Sequence, residues 1–312
     1  MIRVPKIRGV ALITAMLITA LAGTVAAGLS WDNALDVRRT TVMLYRDQAI
    51  QVAVGSEGWV SSILIDDQAN SPSDHLGEIW ATEIPALPID AEAVQGEIYG
   101  KVEDLQGRFN INNLLDGNGK VDQPSLEQFE RLLSILGLEL RLAGITADWL
   151  DADQSESIPD GAEDPFYTGL IPAYRTANQR MFSITELAAL DGMDQESFQI
   201  LLPHVTALPE RTPINVNTAT SAVLRSLGPN ISESDAEGLL SQRESGGFVD
   251  YAAVFAPLVD PGLQQWISET TSYFQLKAVV QIDTVRITLF TVLHRDAGRP
   301  AVTPISRSLG TI

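Results

Sequence analysis

The sequence lacks cysteine, has only three histidines and is poor in basic residues. Without cysteine, disulfide bonds, zinc–thiolate sites and thiol nucleophiles are all excluded. His75, His204 and His294 lie far apart along the chain, which argues against a histidine-rich metal site. Lysine and arginine total 21 against 40 aspartates and glutamates, and the resulting net charge of −19 would repel a nucleic-acid backbone.

Recognisable catalytic motifs are missing as well. The sequence has no Gly-x-Ser-x-Gly elbow, no HExxH pair and no Walker loop. Clustered acids could form a glycosidase pair, but their spacing singles out no two of them. With 312 residues, of which 45% are apolar, the chain is long enough for about two globular domains. A hydrolase anchored by one helix is an alternative against which the missing motifs argue.

The N-terminus places a long apolar segment behind a short basic leader. Arg3, Lys6 and Arg8 precede Gly9, and residues 10–31 carry no charge. As a helix these residues reach about 33 Å, which is enough to cross a bilayer core of about 30 Å. Basic residues before the segment and acidic residues after it place the N-terminus in the cytoplasm and the main body outside.

Three interpretations of this segment are open. It can be a secretory signal peptide, since residues 25–27 are small enough for cleavage, or a plain membrane anchor. Alternatively, the apolar pattern continues at three- and four-residue spacing to Leu64, and no proline interrupts it before Pro72. That pattern predicts one helix of about 50 residues, with its first half in lipid and its second half amphipathic.

A basic leader that ends in Gly9, followed by a helix that runs on into a globular part, resembles type IV prepilins and type II secretion pseudopilins. The resemblance implies that prepilin peptidase cleaves between Gly9 and Val10 and methylates the new Val10 amine. Most members carry glutamate at the fifth mature position, where this chain has Thr14. An unpaired charge in lipid is costly, so the glutamate needs a subunit above it to pair with. Its absence is typical of the K-type minor pseudopilins, the GspK family.

The rest of the chain predicts an α+β protein. Strand-like segments lie near both ends, and helical spacing dominates between them. The predicted elements are a loop at 70–90, strands at 97–102 and 108–112, helices after residue 119 until about 266, and strands at 274–282 and 286–293. By resemblance to K-type pseudopilins, we expect a type IV pilin-like fold, a long helix packed on an antiparallel sheet, interrupted by a large inserted all-α domain.

The predicted domain boundaries follow from this plan. They are a prepilin leader at 1–9, the transmembrane half of the helix at 10–31, a first pilin-like part at 32–113, the insertion at 114–270 and the C-terminal strands at 271–312.

An acidic segment within the insertion is the strongest candidate for a metal site. Seven carboxylates lie between Asp148 and Asp164, and such dense charge requires either solvent or a cation. Calcium takes six to eight oxygen ligands in flexible geometry, so composition leaves a solvated loop and a calcium site both open. The string Trp-Leu-Asp-x-Asp…Gly-Ala-Glu-Asp is similar to the K-type family, whose helical domain binds calcium near such a segment. The resemblance implies Asp151, Asp153, Glu163 and Asp164 as ligands, with Glu156 and Asp160 as further candidates.

A second segment resembles the helix-hairpin-helix modules of DNA-uptake and repair proteins. In those modules a glycine-rich turn presents backbone N–H groups to a phosphate. Here the turn is residues 228–232, and Ile231 lacks the glycine that such a turn has on each side of its isoleucine. Arg225 and Arg243 are the only cations between positions 211 and 277. We therefore expect the packing of such a module without DNA binding, although a membrane-anchored DNA receptor is the alternative function.

Two smaller polar motifs have more than one interpretation. Asn215 and Asn217 can either cap the following helix or supply oxygens to a metal. The segment 116–122 matches the middle of an EF-hand loop, but Leu114 and Ser125 occupy its first and last ligand positions, which favours a glycine-rich turn.

The resemblance as a whole implies a non-enzymatic structural subunit of the type II secretion pseudopilus. Such a subunit would cap the tip together with the I-, J- and H-type minor pseudopilins and support protein export across the outer membrane. Its other partners would be prepilin peptidase and the inner-membrane assembly platform. We expect a single-pass inner-membrane protein with its globular part in the periplasm, a structural calcium ion and no nucleic-acid partner.

Overall fold

The computed structural model describes residues 10–91, 94–244, 246–248 and 250–310. The helices are α1 (Val10–Asn70), α2 (Gln123–Leu136), α3 (Arg141–Leu150), α4 (Asp164–Tyr167), α5 (Gln195–Leu201), α6 (Ser221–Ser226), α7 (Glu233–Arg243) and α8 (Tyr251–Phe255). Short 3-10 helices lie at Ile79–Ala81, Ile111–Leu114, Ile184–Ala189, Leu202–His204 and Gln264–Trp266. The strands are β1 (Ile84–Ala91), β2 (Val94–Asp104), β3 (Phe109–Asn110), β4 (Val205–Thr206), β5 (Ile214–Asn215), β6 (Ile267–Ser268), β7 (Tyr273–Ile282), β8 (Val285–Arg295) and β9 (Val302–Leu309).

Helix α1 has 61 residues and two different surroundings along its length. Residues 10–40 are exposed throughout, and the apolar stretch among them is long enough to cross a membrane, with none of it buried in the fold. Farther along, a stripe of buried side chains with three- and four-residue spacing packs on the sheet. These buried residues are Ala49, Ala53, Glu57, Val60 and Leu64. The predicted single helix is confirmed, and it is about ten residues longer than expected.

Five antiparallel strands form the main sheet in the order β1-β2-β7-β8-β9. The sheet and α1 share a core in which Trp80 packs edge-on against Phe274. The predicted strands at 97–102, 274–282 and 286–293 are confirmed, with the predicted turn between Ile282 and Val285. The chain is therefore a mixed protein of helices and antiparallel sheet with a long N-terminal helix.

A buried ion pair fastens the middle of α1 to the sheet. Glu57 is 5% exposed and accepts hydrogen bonds from Arg307 Nε and Nη2, each at 2.7 Å. Thr291 Oγ1 on β8 donates to Glu57 Oε1 at 2.8 Å. A bidentate arginine together with a hydroxyl satisfies the buried carboxylate, so a charge on the packed face of α1 is tolerated.

A second buried network joins the end of α1 to β8 and to the segment before β1. Arg295 is 4% exposed and pairs with Asp67 on α1 at 3.0 Å and with Asp74 at 2.6 Å. Asp74 also accepts the backbone N–H of Thr271, at the point where the chain returns to the sheet. One guanidinium thus connects three parts of the chain that are far apart in sequence.

Two strands of the sheet were missing from the sequence-based prediction. Residues 70–90 were expected to be a loop, but β1 occupies their second half despite Pro85 and Pro88. A proline is tolerated on an edge strand because its missing N–H can point away from the ladder. Strand β9 forms the opposite edge and is mostly exposed, so its sequence carries little apolar signal.

The segment between β2 and β7 has its own hydrophobic core, built mainly from helices. The prediction of an all-α insertion is not met in full, because β3 pairs with β4 and β5 with β6 in two small parallel ladders. Strand β3 corresponds to the strand expected at 108–112, but it lies in this segment and not in the main sheet. Ile111 and Leu114 pack in the same core. Residues 109–114, which the sequence-based boundaries divide between the first pilin-like part and the insertion, therefore contribute to this core.

Helix ends in this segment follow local signals. Asp122 caps α2 by accepting the N–H of Ser125, and Gly137 ends it in the left-handed region at φ 71°. Ser183 and Glu186 form a capping box, and the helix that it opens is a 3-10 helix.

Candidate metal centre

The acidic segment follows α3 and ends at the start of α4. Asp151 is the C-terminal capping residue of α3, and Glu163 directly precedes α4. Tyr167 of α4 packs edge-on against Trp149 of α3, with ring centroids 5.4 Å apart. This aromatic contact brings together the two helix ends that carry the carboxylates.

Three of the predicted ligands lie side by side. One carboxylate oxygen from each of Asp151, Asp153 and Glu163 lies within 4.8 Å of the other two. Asp151 and Glu163 are 8% and 0% exposed, while Asp153 is exposed. Asp151 Oδ1 and Glu163 Oε1 are buried and have no hydrogen-bond partner among the described residues. Buried oxygens of this kind are costly unless something binds them.

The pKa values of two of these groups reflect the crowding of negative charge. Burial, together with repulsion from Asp153 and Asp148, raises the pKa of Asp151 to about 6. Burial likewise raises the pKa of Glu163 to about 7, with added repulsion from Asp148 and Asp151. Without a cation, these carboxyl groups therefore hold protons at pH values where free carboxylates are ionised.

The donors present suit calcium. Only oxygen atoms converge here, and oxygen donors select hard cations such as Ca²⁺ over soft ones. Three carboxylates offer up to six oxygens, and the remaining positions can be filled by backbone carbonyls or water. The orphaned oxygens of Asp151 and Glu163 are the observation that favours an ion over a merely solvated loop.

The other predicted ligands lie outside this trio. Asp164 Oδ1 accepts hydrogen bonds from the backbone N–H and the hydroxyl of Thr176, and its other oxygen faces Arg175 at 3.7 Å. Glu156 and Asp160 are exposed.

Asp148 shapes the loop and was not among the predicted ligands. It is fully buried in the last turn of α3 and accepts the N–H groups of Ser157 at 3.0 Å and Ala162 at 2.9 Å. These bonds fold residues 151–163 back over the helix end and hold Glu163 next to Asp151. An acid on the apolar face of a helix, one turn after Ile145, is the sequence signal that could have identified it.

The helix-hairpin-helix-like segment uses its cations internally. Arg243 Nη1 donates to the carbonyl oxygens of Val216 and Ala219, and burial lowers the pKa of Arg243. Arg225 faces Glu233 at 3.9 Å. Both cations between positions 211 and 277 are thus engaged by the fold, an arrangement that offers little to a phosphate backbone.

The smaller polar motifs take structural roles. Asn215 donates to Asp104 Oδ2, and Asn217 accepts the N–H of Phe248, so neither caps α6, whose N-terminus is capped by Thr220. Asp116 Oδ1 accepts the N–H groups of Asn118 and Lys120, which closes the turn expected at 116–122.

The predicted processing site lies at the edge of the described chain. Gly9 falls outside the described residues, and Val10 is the first residue of α1. Thr14 Oγ1 donates to the carbonyl oxygens of Val10 and Ala11, each at 3.0 Å, so its hydroxyl is satisfied within the helix. The fifth position after Gly9 therefore carries no charge and needs no partner from another chain.

Comparison with known proteins identifies the family. The family model for type II secretion system protein K matches residues 107–210 in its first part and 214–273 in its second. The type II secretion system protein K of Pseudomonas aeruginosa is 36% identical over 300 residues, covering 92% of this chain and 88% of that protein. This chain belongs to the type II secretion system protein K family. The Aeromonas hydrophila member is 32% identical over 310 residues, covering 92% of each chain.

A solved structure of the protein K family shares the fold. One chain of the crystal structure of the GspK-GspI-GspJ complex from enterotoxigenic Escherichia coli matches with a TM-score of 0.76 at 25% identity. The match covers 88% of this chain and all of that one. The resemblance stated from the N-terminal and acidic motifs is thereby confirmed at the level of the family.

Proposed function

We propose that this chain is a non-enzymatic minor subunit of the type II secretion pseudopilus and caps its tip. The observation that carries the proposal is α1, whose exposed apolar half continues without a break into a half packed on the sheet. A helix built in this way can leave the membrane and pack among the helices of other subunits while the globular part stays outside.

The terminal position is supported by two further features. Thr14 satisfies its hydroxyl within α1, so the helix carries no carboxylate that needs a subunit above it. The large segment between β2 and β7 adds bulk that would block growth beyond this subunit. The related GspK crystallised with GspI and GspJ, and we infer that I- and J-type subunits, with the H-type next, are the partners here.

The membrane arrangement is part of the same proposal. The basic leader holds the N-terminus in the cytoplasm, and residues 10–31 cross the inner membrane once, leaving the globular part in the periplasm. Prepilin peptidase would remove residues 1–9 and methylate Val10 before the assembly platform takes up the subunit.

The decisive test is processing at Gly9. Gly9→Leu should leave a precursor nine residues longer than the mature chain, because the peptidase no longer accepts the cleavage site. Val10 should remain unmethylated, and secretion of exported proteins should fall to the level of a deletion strain. Intact-mass measurement of protein purified from membranes checks the first outcome, and an assay of a secreted enzyme checks the second.

Gly117→Ala is the control, because it lies in an exposed turn outside α1 and a methyl group there meets nothing within 4 Å. This variant should be processed and should support secretion as the wild type does. Normal processing and secretion of the Gly9 variant, or a mature chain that begins after Ala27, would contradict the proposal.

We further propose that Asp151, Asp153 and Glu163 hold a structural calcium ion that fixes the loop between α3 and α4. At about a hundredfold excess over its dissociation constant, bound calcium adds about 2.7 kcal/mol to the free energy of unfolding. The melting temperature in calcium should then exceed that in EDTA by about 5 °C. Asp151→Asn combined with Glu163→Gln should at least halve this difference, whereas the exposed Glu156→Gln should not change it.

The calcium effect should also depend on pH in a defined direction. The pKa values of Asp151 and Glu163 are raised, so their protonated forms stabilise the ion-free fold at low pH. That stabilisation is lost as pH rises through about 6 to 7. The melting temperature in EDTA should therefore fall from pH 5 to pH 8, and the gain from calcium should grow over the same range. A pH-independent gain would argue against these two residues as ligands.

A further inference from the structure

A second group of carboxylates lies where α1, the main sheet and the returning chain meet. We call Asp67, Asp74 and Glu78 the junction cluster. Asp67 lies in the last turn of α1, and the other two lie in the segment that leads to β1. One carboxylate oxygen from each lies within 4.8 Å of the other two. The side chains of Asp74 and Glu78 are 3% and 9% exposed.

The charge of the junction cluster is only partly compensated. Among the described residues, Arg295 is the one lysine or arginine paired with it, and it contacts Asp67 and Asp74 but not Glu78. His75 Nε2 lies 3.8 Å from Glu78 Oε1, beyond hydrogen-bond distance. Its other ring nitrogen accepts the N–H of Gly77. Three carboxyl groups therefore share one guanidinium in a largely buried place.

Glu78 has an oxygen without a partner. Its Oε2 accepts the backbone N–H of His75 at 3.0 Å and the indole N–H of Trp80 at 2.7 Å. Its Oε1 is buried and makes no hydrogen bond. The carboxylate is therefore held in one orientation by two donors, while its second oxygen stays unsatisfied beside Asp67 and Asp74. A buried charged acceptor is costly in this state, which points to a missing ligand.

A cavity lies beside the junction cluster. The cavity measures about 460 Å³ and is lined by both Asp67 and Glu78. Asn70 and Ser71 add polar groups to its wall, and the exposed Ile79 lies at its side. An ion can reach the junction cluster through this space without unfolding α1, and water molecules in it can complete a coordination shell.

The charge balance favours a divalent ion over a basic side chain. A lysine or arginine from another protein would bring one positive charge, whereas a divalent ion brings two to a cluster of three carboxyl groups and one guanidinium. All free donors are oxygens, which select hard cations. We propose that the junction cluster binds a hard divalent cation, Ca²⁺ or Mg²⁺, through Glu78 Oε1 and the carboxylates of Asp67 and Asp74. Burial raises the pKa of Asp74 even against the lowering effect of Arg295, in keeping with this excess of negative charge.

The bound cation would couple three parts of the fold. Asp74 already accepts the N–H of Thr271, and its own N–H donates to the carbonyl oxygen of Glu269. A cation on Asp74 and Asp67 therefore ties the end of α1 to the point where the chain returns to the sheet. The inference does not depend on the proposed function, because it rests on this geometry alone.

Metal content of the full-length protein in detergent micelles tests the inference. The background is Asp151→Asn with Glu163→Gln, which removes the first metal centre. After equilibrium dialysis at pH 7.5 against Ca²⁺ or Mg²⁺ in separate arms, this background should retain about one equivalent of one of the two ions. Adding Glu78→Gln should reduce the bound ion to none. Adding the nearby exposed Glu83→Gln should leave it unchanged.

Glu78→Gln is chosen because the fold should tolerate it. The glutamine oxygen can accept from His75 and Trp80 as Oε2 does, and its amide can donate to the neighbouring carboxylates. A background that folds, by circular dichroism, yet binds neither ion overturns the inference. So does binding that survives Glu78→Gln. If the background does not fold, the wild type is compared with the single Glu78→Gln variant, which should bind one ion fewer, and equal binding overturns the inference.

Discussion

Arg295→Met should lower the free energy of unfolding by about 3 to 5 kcal/mol, because it strands the buried carboxylates of Asp67 and Asp74. Methionine keeps most of the apolar stem and removes the guanidinium, which also lies over the Phe274 ring at 4.8 Å, so the loss reports the missing guanidinium. Urea unfolding of the full-length protein in micelles, followed by tryptophan fluorescence in EDTA, measures the change.

Two further variants separate charge from packing at this position. Arg299→Met removes an arginine that is 79% exposed and pairs only with Asp296, so it should cause no measurable change. Asp74→Asn in the Arg295→Met background should recover part of the lost stability, since one stranded charge is then gone. Wild-type stability of Arg295→Met, or no recovery in the double variant, would show that the ion pairs do not hold the junction together.

Gly161→Ala should disrupt the acidic loop and the proposed calcium site together. A methyl group at Gly161 would lie under 3.0 Å from Asp148 Oδ2 and from the backbone N and O of Ser157. The loop must then move away from Asp148, whose bonds to Ser157 and Ala162 position Glu163. We expect the free energy of unfolding to fall by about 2 to 4 kcal/mol, from overpacking and lost hydrogen bonds. Calcium affinity, measured by isothermal titration calorimetry, should fall at least tenfold.

The matched control for this substitution is Gly117→Ala. Gly117 lies in an exposed turn, and a methyl group there would meet nothing within 4 Å. Stability and calcium affinity should therefore match the wild type. Unchanged calcium affinity in Gly161→Ala would separate the loop geometry from metal binding and would argue against Glu163 as a ligand.

The parts of the structure that sequence predicted are those in which the signal is local. Helix α1 was predictable because its apolar spacing continues from the exposed half to Leu64 without a helix breaker. The cluster of Asp151, Asp153 and Glu163 could be predicted because its members lie within thirteen residues of sequence. Sequence could not separate Glu163 from its neighbour Asp164, since only the fold reveals that Asp164 is occupied by Thr176.

The features that the sequence did not predict depend on contacts between residues far apart in the chain or lie at the edge of the main sheet. In the junction cluster, Asp67, Asp74 and Glu78 lie next to Arg295, which is more than two hundred residues later in the sequence. No local sequence pattern predicts this contact. The sequence predicts a loop where β1 lies, because Pro85 and Pro88 normally disfavour a strand. At the edge of a sheet, where β1 lies, proline is tolerated.

The pairing of β2 with β7 in the main sheet affects which part of the chain can vary between homologues. Asp104 at the end of β2 lies opposite Phe274 at the start of β7, so residues 105–273 leave and rejoin the sheet at a single paired position. Without this excursion the five strands would form a simple up-and-down meander. Lengthening a loop is thermodynamically cheap, about 0.6 kcal/mol for each doubling. Residues 105–273 can therefore be enlarged, shortened or exchanged between homologues while every strand of the main sheet keeps its register.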